Sequence, residues 1–141
     1  MTLRISNDLA EFDLPMIHGF LSQQSYWAQD IPLATVQRAL QNSLCFGGFL
    51  DDQQIAFARV TTDKATFAYL ADVFVLPEWR GQGHSKTLIE FILQHRELQG
   101  LRRFMLATGD AHALYARFGF KPPAKPEALM EINRPGLYRR A

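Results

Sequence analysis

The sequence predicts a mixed α/β sheet, an antiparallel meander followed by one parallel β-α-β crossover, flanked by helices. Three observations predict it. Two stretches with helical apolar spacing open the chain. Three β-rich runs follow, "LCFGGFL", "QIAFARVTT" and "TFAYLADVFVL", separated by the turn-like "DDQ" and "TDK". A strand, a helix and another strand come next, and within one sheet that order makes a right-handed crossover.

Each element has its own local reason. "LRIS", 3–6, reads as a short first strand. Asp13 is placed to cap a helix over 14–24, with Pro15 in its first turn and Leu14, Ile17 and Leu21 on one face. "QQSYWAQDIP" is a loop that carries Tyr26 and Trp27. A second helix covers 33–43 through Leu33, Val36 and Leu40. The three β-rich runs form the meander, and Pro77 ends the third. A helix over 83–96 buries Leu88, Ile89, Ile92 and Leu93 and turns Lys86, Glu90 and Gln94 to water. "RRFMLAT", 102–108, is the parallel strand. Asp110 is expected to cap a short helix over 111–118, which Gly119 closes. "KPPAKPEA", 121–128, is a loop, and "ALMEI" is expected to be a last strand.

The bulk numbers narrow the function. A chain of 141 residues suits one domain, 1–141, with a core of useful size. The formal net charge of +1 gives no general attraction to nucleic acid or to an anionic membrane. The single cysteine, Cys45, cannot form an internal disulfide, as expected of a reducing cytoplasm. "MTLRISNDLAEFDL" is acidic and lacks the apolar run of a signal peptide, and no stretch is long and apolar enough to span a bilayer. Four scattered histidines and one cysteine offer no metal-ligand spacing, so no metal is expected.

The chemistry concentrates in "ADVFVLPEWRGQGHSKTLIEFIL", 71–93. The loop departs from both common nucleotide loops. For a Walker-type phosphate loop, Lys86-Thr87 are present, but Ser85 and Arg80 stand where glycines belong. For a dinucleotide fingerprint, Gly81 and Gly83 fit, and Lys86 fails the third position. What remains is a turn whose amides can face outward at the positive end of a helix. That is an anion site suited to a pyrophosphate, or else a tight turn with no ligand.

The stretch "VFVLPEWRGQGHSKTLIEFIL" resembles motif A of the GCN5-related N-acetyltransferases (GNAT), in which a strand ending V-x-P precedes [QR]-x-x-G-x-[GA] and a helix. Arg80, Gly83 and Ser85 fall on the named positions, Ser85 replacing the usual Gly or Ala. "LYARFGF", 114–120, looks like motif B, with Tyr115 on its tyrosine position, and the order of elements matches over nearly the whole chain. The resemblance implies acetyl-CoA as donor. It places the pyrophosphate on the amides of Arg80, Gly81, Gln82, Gly83, His84 and Ser85. It runs the pantetheine arm along the strand at Val73–Val75, in a gap between that strand and 102–108. An amide at Phe74 or Val75 would polarise the thioester carbonyl. It also implies a small-molecule amine as acceptor.

Acetyl transfer to an amine needs a neutral amine, a hydrogen bond to the carbonyl oxygen and a proton for the thiolate. By resemblance Tyr115 supplies that proton; the residues alone favour a core tyrosine packed beside Leu114 and Phe118. Asp72 interrupts an apolar strand. A carboxylate there serves as a base, binds a cationic amine, or sits on a solvated face. His112, one turn before Tyr115, is expected to share its face as a base or an acceptor-orienting group, unless it is simply a solvated helix start. Tyr26 and Trp27 line the acceptor pocket or form a hydrophobic lid. Cys45 lacks a neighbouring base in any motif, so direct transfer is expected rather than an acyl-cysteine intermediate. Other readings stay open at this point: transfer to a protein N-terminus or lysine, a non-catalytic acyl-CoA sensor, and a homodimer formed through a sheet edge.

Overall fold

The structure, a computed structural model, describes residues 2–139. One five-stranded sheet runs in the order β1-β2-β3-β4-β5. The strands are β1 (Arg4–Ser6), β2 (Leu44–Leu50), β3 (Gln53–Thr62), β4 (Phe67–Val75) and β5 (Arg103–Leu106). The first three pairings are antiparallel and β4–β5 is parallel. The helices are α1 (Leu14–Gly19), α2 (Leu33–Gln41), α3 (His84–Gln94) and α4 (His112–Ala116). Among the described residues no helix is long and apolar enough to cross a membrane.

Local chemistry explains the starts and stops. Asp13 caps α1 by accepting from the Met16 amide at 3.1 Å. Its own amide donates to Gln54 Oε1 at 2.7 Å, and Gln54 Nε2 donates to the Ala56 carbonyl, so the start of α1 is tied to β3. The helix continues to Gln24, as the sequence predicts, but its last turn, Phe20–Gln24, widens to a π-helix. The β3–β4 turn is organised by Asp63. Its carboxylate accepts from the amides of Ala65, Thr66 and Phe67 and from the Thr66 hydroxyl, which holds its carboxyl well below the usual carboxylate range.

The sheet separates two cores. On one face α3 buries Leu88, Ile89 and Ile92 against Phe46, Ala58, Val60 and Leu70. Each of those α3 side chains is fully buried, a gain of about 1.5–3 kcal/mol apiece. On the other face α1 and α2 bury Ile17, Leu21, Val36 and Leu40 against Cys45, Phe57 and Phe74. The Phe20 ring stacks on Phe74 with centroids 4.0 Å apart.

Two expectations fail here. "ALMEI" is not a strand: it pairs with no neighbour, and Met130 and Ile132 are 96% and 86% exposed. A β-type sequence without a hydrogen-bonding partner has nothing to hold it in a ladder. Asp110 does not cap α4 either. The cap position is Ala111, which has no capping side chain, and the Thr108 hydroxyl accepts from the Ala111 amide at 3.0 Å.

Candidate active site

The site arises where β4 and β5 part. Their pairing runs from Phe67–Arg103 to Leu70–Leu106 and stops, while β4 continues to Val75. A bulge in β4 sits at the point of departure. Between the Phe57–Phe74 and Arg59–Ala71 pairs, β3 has one residue, Ala58, and β4 has two, Asp72 and Val73. The extra residue is absorbed by Asp72, which adopts φ +55, a left-handed conformation that Asp tolerates better than most residues. Bulges bend the strand that carries them, so β4 leaves its parallel neighbour there.

A cavity of about 540 Å³ opens into the gap. The α1–α2 loop supplies Tyr26 and Trp27, α2 supplies Thr35 and Val36, and β3 supplies Arg59. β4 gives Tyr69 and Asp72, the loop after β5 gives Thr108 and Asp110, and Tyr115 and Tyr138 also line it. Two hydrogen bonds pin the loop over it. The Gly109 amide donates to the Tyr26 hydroxyl at 2.8 Å, and Trp27 Nε1 donates to Asp72 Oδ1 at 2.8 Å. A Cβ at Gly109 would lie 3.1 Å from the Tyr26 oxygen, so the close approach favours glycine.

Arg59 and Asp72 form an ion pair in the wall, Nε to Oδ2 at 2.8 Å, with side chains only 20% and 12% exposed. Arg59 Nη1 also donates to the Ser43 and Thr61 hydroxyls, each at 3.2 Å. Asp72 therefore reaches the cavity with both oxygens already accepting. That arrangement suits a scaffold better than a free base.

Tyr115 is 8% exposed. Burial, with smaller contributions from Tyr26 and Asp110, pushes its phenol up to about 12. The O–H stays protonated at any physiological pH, and among the described residues it has no hydrogen-bond partner. His112 does not share this position. It is exposed and outside the cavity lining, which corrects the expected common face. His112 is the first residue of α4 and lies in solvent, whereas Tyr115, one turn on, is buried against the core. Cys45 is 2% exposed, and burial pushes its thiol up to about 12, the state of an inert core cysteine.

The 80–85 loop lies beyond the cavity lining, at the start of α3. Gly81 and Gly83 take φ +78 and +84, and the space around each is open. Gly83 is the cap residue of α3, an 11-residue helix, so free amides and the positive end of its dipole meet there. Arg80 folds back, Nε donating to the Val75 carbonyl at 3.0 Å, and so ties the loop to the end of β4. Gln82 and Ser85 sit at the surface or half-buried. His84 turns inward: its ring is buried, and among the described residues Nε2 has no partner. Phe74 and Val75 bury their side chains, which leaves only their backbone for any ligand along β4.

The structure thus brings Tyr26, Trp27, Asp72 and Tyr115 around one cavity and keeps the glycine loop at a separate end of β4. The sequence reading gave no role to Arg59 or Tyr138, and gave Asp110 only that of a helix cap. For Arg59 a signal existed, because a lone cation in an apolar run faces a lone anion in the next strand.

The profile of the acetyltransferase (GNAT) domain matches residues 41–122. A Gibberella zeae protein described as an acetyltransferase is 31% identical over 135 residues, covering 80% of this chain and 75% of that protein. The crystal structure of a protein from Xanthomonas campestris pv. campestris, assigned to the GNAT family as an acetyltransferase, is 59% identical and covers 99% of each chain, with a TM-score of 0.97. A GNAT-family acetyltransferase of Elizabethkingia anophelis, solved with acetyl-CoA bound, shares the fold at 14% identity. That match has a TM-score of 0.64 over 84% of this chain and 76% of that one.

Proposed function

Because the chain belongs to the GNAT acetyltransferase family, we propose that it moves the acetyl group of acetyl-CoA directly to the amine of a small molecule, with Tyr115 as general acid, all within one domain spanning 1–141. The observation that carries this is the position of Tyr115, a protonated phenol in the cavity where β4 and β5 part.

The residues fit the donor. Outward amides at 81–85 and the α3 dipole suit a pyrophosphate, and the glycines leave the approach open. The unpaired edge of β4 from Ala71 to Val75 offers main-chain groups to an amide-bearing arm. Bound there, acetyl-CoA supplies an activated acyl group.

The chain's residues then act on three atoms. A main-chain amide of Phe74 or Val75 polarises the carbonyl oxygen. The acceptor amine, its proton released to solvent, forms the C–N bond as the C–S bond breaks. Tyr115 donates to the sulfur on which the electron pair collects. A free thiol has a pKa of ~8.5, well below that of the buried phenol. The transfer is uphill for the phenol alone, so the O–H passes its proton to the sulfur as charge builds there and the phenolate regains one from solvent. Asp72 acts through the wall, holding Trp27 and Arg59 in place.

The test is thiol release from acetyl-CoA against a panel of amines, amino acids and short peptides, with Tyr115→Phe alongside. Tyr115→Phe should lower turnover about tenfold to a hundredfold while acetyl-CoA affinity stays similar. Unchanged turnover would remove Tyr115 from the mechanism.

A further inference from the structure

We infer that Asp110 is the acceptor-binding anion of the cavity, and that the acceptor is a primary amine with an apolar or aromatic body and no acidic group of its own. This narrows the acetyltransferase reading above and rests on it.

Two carboxylates reach the cavity, Asp72 and Asp110. They differ in what already holds them. Asp72 accepts from Arg59 on one oxygen and Trp27 on the other. Asp110 does not take the capping role its sequence position suggests: the cap position of α4 is Ala111, and no side chain caps that helix. Among the described residues no donor or cation meets the Asp110 side chain. It is exposed at the cavity rim, close enough to Tyr115 for its charge to oppose ionisation of the phenol. An ammonium held by Asp110 therefore sits beside the group that acts on the departing sulfur, and it gives up a proton to solvent before the neutral amine attacks.

The whole lining agrees with a cationic guest. Among the described residues that line it, one guanidinium stands against two carboxylates, an excess of one negative charge. Tyr26, Trp27, Tyr69 and Tyr138 add aromatic faces, which attract cations and pack apolar bodies. An acidic group on the acceptor would have to take Arg59 from Asp72, at a site where Nε and Nη1 already donate. It would also add a negative charge to a lining that already has an excess.

Thiol release from acetyl-CoA is measured with phenylethylamine and hexylamine, and with phenylalanine and norleucine as matched amino acids. The wild-type protein is compared with Asp110→Asn and Asp110→Glu; the position is exposed, so neither change disturbs the core. The amines should exceed the matched amino acids in kcat/KM by about tenfold or more. Asp110→Asn should raise KM for the amines about tenfold with little change in kcat, and Asp110→Glu should restore most of the loss. The rise in Tm on adding acetyl-CoA should be equal in all three proteins. An unchanged KM in Asp110→Asn, or a preference for the amino acids, overturns the assignment and leaves the acetyltransferase reading standing. Silence with all four acceptors while acetyl-CoA still raises Tm overturns the substrate class alone. No rise in Tm for the wild-type protein overturns the donor reading and this inference together.

Discussion

Asp72→Asn separates a scaffold from a base. Asparagine keeps the size of the side chain, and it tolerates the left-handed backbone at φ +55 nearly as well as aspartate. Its single carbonyl oxygen can serve Trp27 or Arg59 but not both, and its amide then faces a donor. The pair lies in a wall only 12% and 20% exposed, so solvent recovers little of the loss. A hydrogen bond to a charged group is worth about 1.5–3 kcal/mol, and breaking a fully buried pair costs about 3–5 kcal/mol. For this partly sheltered pair we expect a loss of about 2–3 kcal/mol, or about 6–9 °C in Tm for a chain of this size. Asp72→Ala should lose about 1 kcal/mol more, because alanine resists the left-handed conformation. Arg59→Met should destabilise by a similar amount, leaving the carboxylate unpaired. The double mutant should recover a coupling of about 1.5–3 kcal/mol in a cycle read by urea unfolding. Additive single mutants, with coupling under about 0.5 kcal/mol, would refute the pin. So would an Asp72→Asn protein of wild-type Tm whose kcat falls about a hundredfold, the pattern of a general base.

Other consequences are as direct. Gly83→Val should abolish acetyl-CoA binding in calorimetry, since a branched side chain at φ +84 strains the loop and fills the open approach; full binding by a folded variant would place the donor elsewhere. Asp63 titrates below its ordinary value in the folded state, so its contribution to stability is complete above pH ~4 and fades as pH falls below that. Asp63→Asn should therefore lower Tm at pH 7 and lose less than wild type between pH 4 and pH 2; parallel melting curves across that range would count against the turn network. Ile92→Ala, deep under α3, should cost about 2–5 kcal/mol and leave the acceptor KM of the surviving folded fraction unchanged.

What could be foreseen divides by the range of the interaction. The strands over 44–50, 53–62 and 67–75 were legible because alternation and turn chemistry act within a few residues. The glycine loop was legible for the same reason: a positive φ and a helix start are local needs. Asp110 misled because α4 begins one residue later than the spacing suggests, with Ala111 at its cap position. His112 misled because Tyr115 alone reaches the sheet once α4 begins at residue 112. "ALMEI" has the composition of a strand, but a strand is completed by a neighbour, and none pairs with it among the described residues.

The Arg59–Asp72 pair shows the same limit at the site itself. Each residue looks out of place in its own strand, and each is explained only by the other. Their meeting depends on the antiparallel register and on a one-residue bulge that moves Asp72 out of step with Arg59's cross-strand partner, Ala71. The bulge also parts β4 from β5. A single irregularity in β4 therefore opens the gap where a donor can lie, turns a carboxylate into the wall, and fixes the loop carrying Trp27 above it. Removing the bulge by deleting one residue at 72 or 73 should close the gap by extending the β4–β5 ladder past Leu70, and amide exchange at 104–107 would slow if it did.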